Sequence, residues 1–113
     1  MAYDEELANR IREALSGQRQ VREVKMFGSL AFMVDGSMAV TANGDGRLMV
    51  RCDPDRAEKL LEREGADWAE MRGKPMGKGW IVVAAHGIDS DEAFEGWIAE
   101  ALDYNRKVSG SGD

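Results

Sequence analysis

Residues 71–80 read Met71-Arg72-Gly73-Lys74-Pro75-Met76-Gly77-Lys78-Gly79-Trp80 and contain Arg72, Lys74 and Lys78 with no acid. Glycines leave backbone N–H groups approachable and the cations add charge, so such a loop can receive an anion. It is not the phosphate-binding loop of nucleotide hydrolases. That loop needs four residues between its first glycine and Gly-Lys, then a hydroxyl residue, then a helix. Here three residues separate Gly73 from Gly77-Lys78, Gly79 replaces the hydroxyl, and the residues that follow read as a strand. Two readings remain: a basic concavity for an anion or an acidic partner, and a hairpin-like connection whose lysines are solvated.

Covalent catalysis needs a nucleophile, a base and an orienting group together. Cys52 falls on the apolar side of an alternating segment, where a thiol is inert. Ser29 follows Gly28 but lacks the second glycine of a nucleophile elbow. His86 is the single histidine, and nothing in the sequence places it beside Ser29 or Cys52. One histidine and one cysteine exclude the usual four-ligand zinc site within one chain. Asn43-Gly44-Asp45-Gly46 opens like a calcium loop, but Arg47 and Leu48 stand where later ligand and glycine positions fall, so it reads as a turn. The expectation is no catalytic residue, no metal and no cofactor. Of the seven methionines, Met26, Met49 and Met76 can form an adaptable binding surface, although methionine more often fills a core.

The elements that would carry these residues follow from periodicity. In residues 4–16, Leu7, Ala8, Ile11, Ala14 and Leu15 form one helical stripe, with Asp4 as N-cap and Gly17 as a left-handed end. Residues 21–27 are mixed and extended. Residues 30–34 are a continuous apolar run, Asp35-Gly36 is a two-residue hairpin signal, and residues 37–42 and 47–52 alternate. These make a three-stranded antiparallel meander. Asp53-Pro54 opens a second helix with Ala57, Leu60 and Leu61 inward, ended by Gly65. A short strand at 68–71 and a strong one at 80–85 follow, and His86-Gly87 turns the chain. Asp89 or Ser90 caps the last helix, with Glu92 completing a capping box to Asp89. Its stripe is Phe94, Trp97, Ile98, Ala101 and Leu102. The buried sheet face should include Phe32 and Leu48, covered by the first and third helices.

The bulk numbers agree with one soluble α+β domain over residues 1–108 and a disordered tail over 109–113. The chain has 113 residues, 43% hydrophobic and 32% charged. No segment is a membrane span, the acidic start is unlike a secretory signal, and one cysteine permits no internal disulfide, so the expected compartment is the cytoplasm. A net charge of −6 makes direct nucleic-acid binding unfavourable, because phosphates are bound chiefly through cations. Sheet edges in so small a chain favour weak homodimerisation.

Four segments together resemble the N-terminal domain of the TfoX/Sxy competence regulators. They are Met26-Phe27-Gly28-Ser29-Leu30-Ala31-Phe32-Met33-Val34-Asp35-Gly36, Val50-Arg51-Cys52-Asp53-Pro54, residues 71–80, and Ala101-Leu102-Asp103-Tyr104. The likeness spans residues 3–106. It implies an α-β(3)-α-β(2)-α fold in two layers with a mainly antiparallel sheet, like that of secretion chaperones. It also implies a non-catalytic regulatory module in transcription, acting through an unidentified protein partner, with an acidic partner best matched to the basic loop. The alternative is a small-ligand or anion-binding domain using residues 72–79. The family's full-length regulators carry a further helical domain, so the chain reads as a stand-alone N-terminal unit. Phe27 and Gly28 match as structural motif positions. Arg51, Arg72, Gly73, Met76 and Trp80 match as well and, with Lys74 and Lys78, make up the candidate binding set.

Overall fold

The computed structural model describes residues 4–108 apart from 19, 27 and 72, and omits the side chains of 26 and 71. Phe27, Arg72 and the expected tail at 109–113 therefore lie outside the described residues. Among the described residues, three α-helices, α1 (Glu5–Ala14), α2 (Ala57–Leu60) and α3 (Asp91–Val108), accompany eight strands. The strands are β1 (Val21–Met26), β2 (Ser29–Val34), β3 (Ser37–Ala42), β4 (Leu48–Arg51), β5 (Ala66–Trp68), β6 (Glu70–Met71), β7 (Lys74–Pro75) and β8 (Trp80–Val83). The main sheet runs β1-β2-β3-β4-β8-β5 with every pairing antiparallel, and β6-β7 is a separate hairpin.

The α+β class, the two layers and the antiparallel sheet agree with the sequence reading. The strand count is higher. Residues 21–26 form a full edge strand, so the meander has four strands rather than three. The expected strand at 68–71 divides at Ala69 between the end of β5 and the start of β6.

Register explains the two faces. Glu23, Phe32, Val40, Val50, Ile81 and Trp68 form one row across all six strands. Lys25, Leu30, Ala42, Leu48, Val83 and Ala66 form the next row on the same face. Phe32 and Leu48 are fully buried there, under Leu7, Ile11 and Leu15 from the first helical segment and Phe94, Trp97 and Ile98 from α3. Burying side chains of this size stabilises by roughly 1.5–3 kcal/mol each before entropy is counted. At Ala39 the β2–β3 ladder slips by one residue, and this bulge adds a buried side chain without breaking the pairing.

Local chemistry sets the ends. Asp4 accepts the Leu7 N–H at 2.9 Å, the expected cap of α1. The helix stops at Ala14, and Gly17 is not left-handed. Asp35 and Gly36 both take positive φ, 52° and 85°, as a tight two-residue hairpin requires. Asp53 accepts from the Asp55 N–H, but the first turn is a 3₁₀ segment and α2 is a single turn. Ser90, not Asp89, caps α3: its Oγ accepts the Ala93 N–H at 3.1 Å, so the Asp89–Glu92 box does not form. Glu100 ties α3 to the α2 region by a bidentate pair with Arg56 at 3.0 and 2.9 Å, plus Arg63 at 3.2 Å.

Candidate functional site

Among the described residues, the second face of the sheet carries no helix. Its main row is Val24, Ala31, Thr41, Met49, Val82 and Asp67, again one residue from each strand. Beside it run Arg22, Met33 and Met38. Ala31, Thr41 and Val82 of this row are buried even so. Thr41 Oγ1 donates to Met38 Sδ at 3.4 Å. Met33, Met38, Met49 and Met76 are all half-buried, and no described methionine belongs to the core. The flexible thioether row therefore sits at the surface, where it can adapt to a partner.

The basic loop closes one end of this face. β6 and β7 form a short hairpin, with Gly73 at φ 80° in its turn, and the Met76 N–H donates to the Ala69 carbonyl. Lys74, Pro75 and Lys78 are exposed. Neither Lys74 nor Lys78 has an ion-pair partner among the described residues. A cleft of about 290 Å³ lies between the hairpin and the sheet, bounded by Arg47, Met49, Asp67, Glu70, Gly73 and Val82.

Arg51 ends β4 opposite Trp80, and its guanidinium carbon is 5.6 Å from the ring centres of both Trp80 and Tyr104. Two aromatic rings hold the planar group while leaving its N–H fork for a carboxylate or phosphate. Gly79 anchors the loop beneath them. Its carbonyl accepts the Cys52 N–H at 2.8 Å, and a Cβ there would lie 3.3 Å from the Cys52 carbonyl. The structure thus brings Arg51, Trp80 and Gly79 together at one end of the sheet, while the Gly73 turn borders the cleft that reaches Arg47, before the other end of β4. The sequence reading missed Tyr104 as a partner of Arg51, and also the row through Val24, Thr41 and Val82. The alternation of β3 and β4 pointed to that row, but the order of strands was needed to complete it.

The nucleophile candidates are apart. Cys52 is fully buried, and burial, then the nearby Glu100 and Asp53 charges, pushes its thiol up to about 11. Ser29 Oγ donates to Asn43 Oδ1 at 3.2 Å. His86 lines a separate cleft of about 500 Å³ beside α3, with Arg63, Glu64, Asp89 and Glu92, and Cys52 does not border it. Among the described residues no cluster of three histidine, cysteine or carboxylate side chains can hold a metal, and no helix is long and apolar enough to cross a membrane. Gly28 takes φ 78° in the β1–β2 turn, a structural role for that motif position.

Comparison with known proteins bears on this geometry. The family model of the TfoX N-terminal domain matches residues 13–104. No curated protein matches the chain. Among solved structures, the crystal structure of Deinococcus radiodurans protein DR2400, a DUF419 domain, aligns with a TM-score of 0.70 at 20% identity. The alignment covers 94% of this chain and 80% of that one, which shows a common fold.

Proposed function

The chain belongs to the TfoX N-terminal domain family, and from that premise we propose a non-catalytic regulatory domain of the competence type that acts in transcription by binding a protein partner. The observation that carries this reading is the helix-free sheet face, with half-buried Met33, Met38 and Met49 and with Arg51 at its margin. Apolar centres ringed by polar groups are the usual anatomy of protein interfaces, and methionine and arginine are enriched in them. A matching partner presents apolar side chains to the methionines and carboxylates to Arg51, Lys74 and Lys78. The net charge of −6 favours that partner over nucleic acid. The buried, high-pKa thiol of Cys52 fits a non-catalytic role.

The test is capture of the partner from the native cell by the tagged domain, by Met49→Glu, and by Arg51→Glu combined with Lys74→Glu. Loss of the same protein with both variants, at unchanged melting temperature, supports the reading. Undiminished capture by both variants overturns it.

A second reading rests on Lys74 and Lys78, which have no ion-pair partner among the described residues and flank Gly77, whose φ is 120°. There the loop holds a small anion. A salt-sensitive thermal shift with phosphate or citrate, removed by Lys74→Glu with Lys78→Glu, favours this alternative.

A further inference from the structure

We propose that β1 is the self-recognition edge of this domain, and that two copies join antiparallel about Val24 into one continuous sheet. β1 is one of the two edge strands of the main sheet, with β5 the other, and it pairs only with β2. Its register with β2 places Gln20 opposite Asp35, and the Asp35 N–H donates to the Gln20 carbonyl at 3.4 Å. At the other end, Met26 pairs with Ser29, six residues from Gln20 and so in the same phase of the alternation. Both ends therefore agree. Residues 20, 22, 24 and 26 turn their backbone groups toward β2, and Val21, Glu23 and Lys25 turn theirs outward.

Only some self-pairings can use that outward row. Pairing centred between Glu23 and Val24 sets outward groups against inward ones and makes no ladder. Pairing centred on Glu23 places the two Glu23 carboxylates opposite each other, and like charges directly opposed are destabilising. Pairing centred on Val24 places Glu23 opposite Lys25 twice, as two hydrogen-bonded pairs with opposite charges, and meets Val24 with Val24 on the axis. Glu23 and Lys25 are both exposed, so each is available to its counterpart. Arg12 already grips Glu23 at 2.7 and 2.9 Å, and Lys25 from the second copy joins that pair on its open side.

Charged edge strands normally resist indiscriminate pairing. This one resists every partner that does not present the reversed pattern, and a second copy presents it. Val24 lies in the methionine-bearing row described above, so pairing doubles the width of that face. The inference does not depend on the identity of the protein partner. It stands even if the face binds something else.

The experiment is sedimentation velocity over a concentration series. The native chain is expected to associate reversibly to a dimer. Lys25→Glu sets Glu opposite Glu23 twice and should raise the dissociation constant about tenfold or more, with the melting temperature held. Glu23→Lys alone sets Lys opposite Lys25 twice and should raise the constant likewise, at a somewhat lower melting temperature because the pair with Arg12 is lost. An equimolar mixture of the two variants restores complementary pairs and should give a heterodimer that neither forms alone. A native chain that stays monomeric at the highest concentration overturns the proposal. So does a Lys25→Glu chain that dimerises like the native one, or a mixture of two folded variants that stays monomeric.

Discussion

Asn105, near the end of α3, donates its side-chain amide to the carbonyl of Val34 at 3.1 Å, and also to that of Ser37 at 3.1 Å. These carbonyls flank the Asp35–Gly36 turn, and Asn105 is 2% exposed. One buried amide therefore docks the last helix onto the β2–β3 hairpin. Asn105→Ala removes both bonds and should destabilise the domain by about 1–3 kcal/mol. Urea unfolding followed by tryptophan fluorescence measures it. A loss under about 0.3 kcal/mol would mean that the hairpin and helix hold together without the amide.

Trp97 is the largest fully buried side chain, and Arg63 lies 4.9 Å from its ring centre. Trp97→Ala should cost about 3–5 kcal/mol. Leu102 follows it on the same helix but is only partly buried against the core. Its truncation should cost clearly less, and the ranking of the two denaturation midpoints is the check.

The thiol of Cys52 should be silent toward a disulfide reagent in the native protein at neutral pH and react fully in denaturant. Burial, first, raises its pKa to about 11. The neutral thiol is thus favoured by the fold. Its contribution to stability is present below the ordinary value of 9.0 and declines as pH rises toward 11. Rapid labelling of folded protein at neutral pH would contradict the buried position.

Glu23 titrates in the opposite sense. The hydrogen bonds from Arg12 hold its carboxyl below the ordinary 4.5. Its stabilising contribution is complete above that value and is lost as pH falls through the lower folded value. Glu23→Gln should lower the melting temperature slightly at about pH 6, and the difference should shrink steadily as the pH is taken below 4.5. A melting difference that persists undiminished in acid would assign the effect to something other than this ion pair.

Gly87 is pressed against the backbone of the α2–β5 connection. A Cβ at this position would overlap the Glu64 carbonyl and lie 2.8 Å from Val83 Cγ1. Gly87→Ala should therefore cost more than about 2 kcal/mol, since backbone cannot move aside as a side-chain tip does. Gly73→Ala, where a Cβ meets nothing within 4 Å, carries only the strain of its φ of 80° and should cost less. Paired chemical-denaturation curves separate them.

What the sequence conveyed followed the strength of each local signal. The stripes of α1 and α3 and the Asp35–Gly36 turn were legible because residues close in the chain determine them. β1 was harder. Of its core-side positions Val21, Glu23 and Lys25, only Val21 is apolar, so it lacks the apolar alternation of a central strand. The bulge at Ala39 and the β6–β7 hairpin leave no periodic trace, because each is set by packing against distant strands. The basic loop was visible by composition, and Arg51 by its motif. The pairing of Arg51 with Tyr104 joins residues 53 apart in the chain, so spacing could not show it.

β8 lies between β4 and β5 in the sheet, although it is the last of the three to be made. During synthesis the four-strand meander can assemble once residue 51 has emerged, but the inner edge of β4 then waits for residues 80–83. Until they arrive, Leu48 and Val50 face neither β8 nor α3, and a ready apolar strand stays open to any other nascent chain. Closure by β8 is a long-range event with a high loop entropy, so it should set the folding rate. A chain truncated before residue 80 should aggregate rather than rest as a stable half-domain.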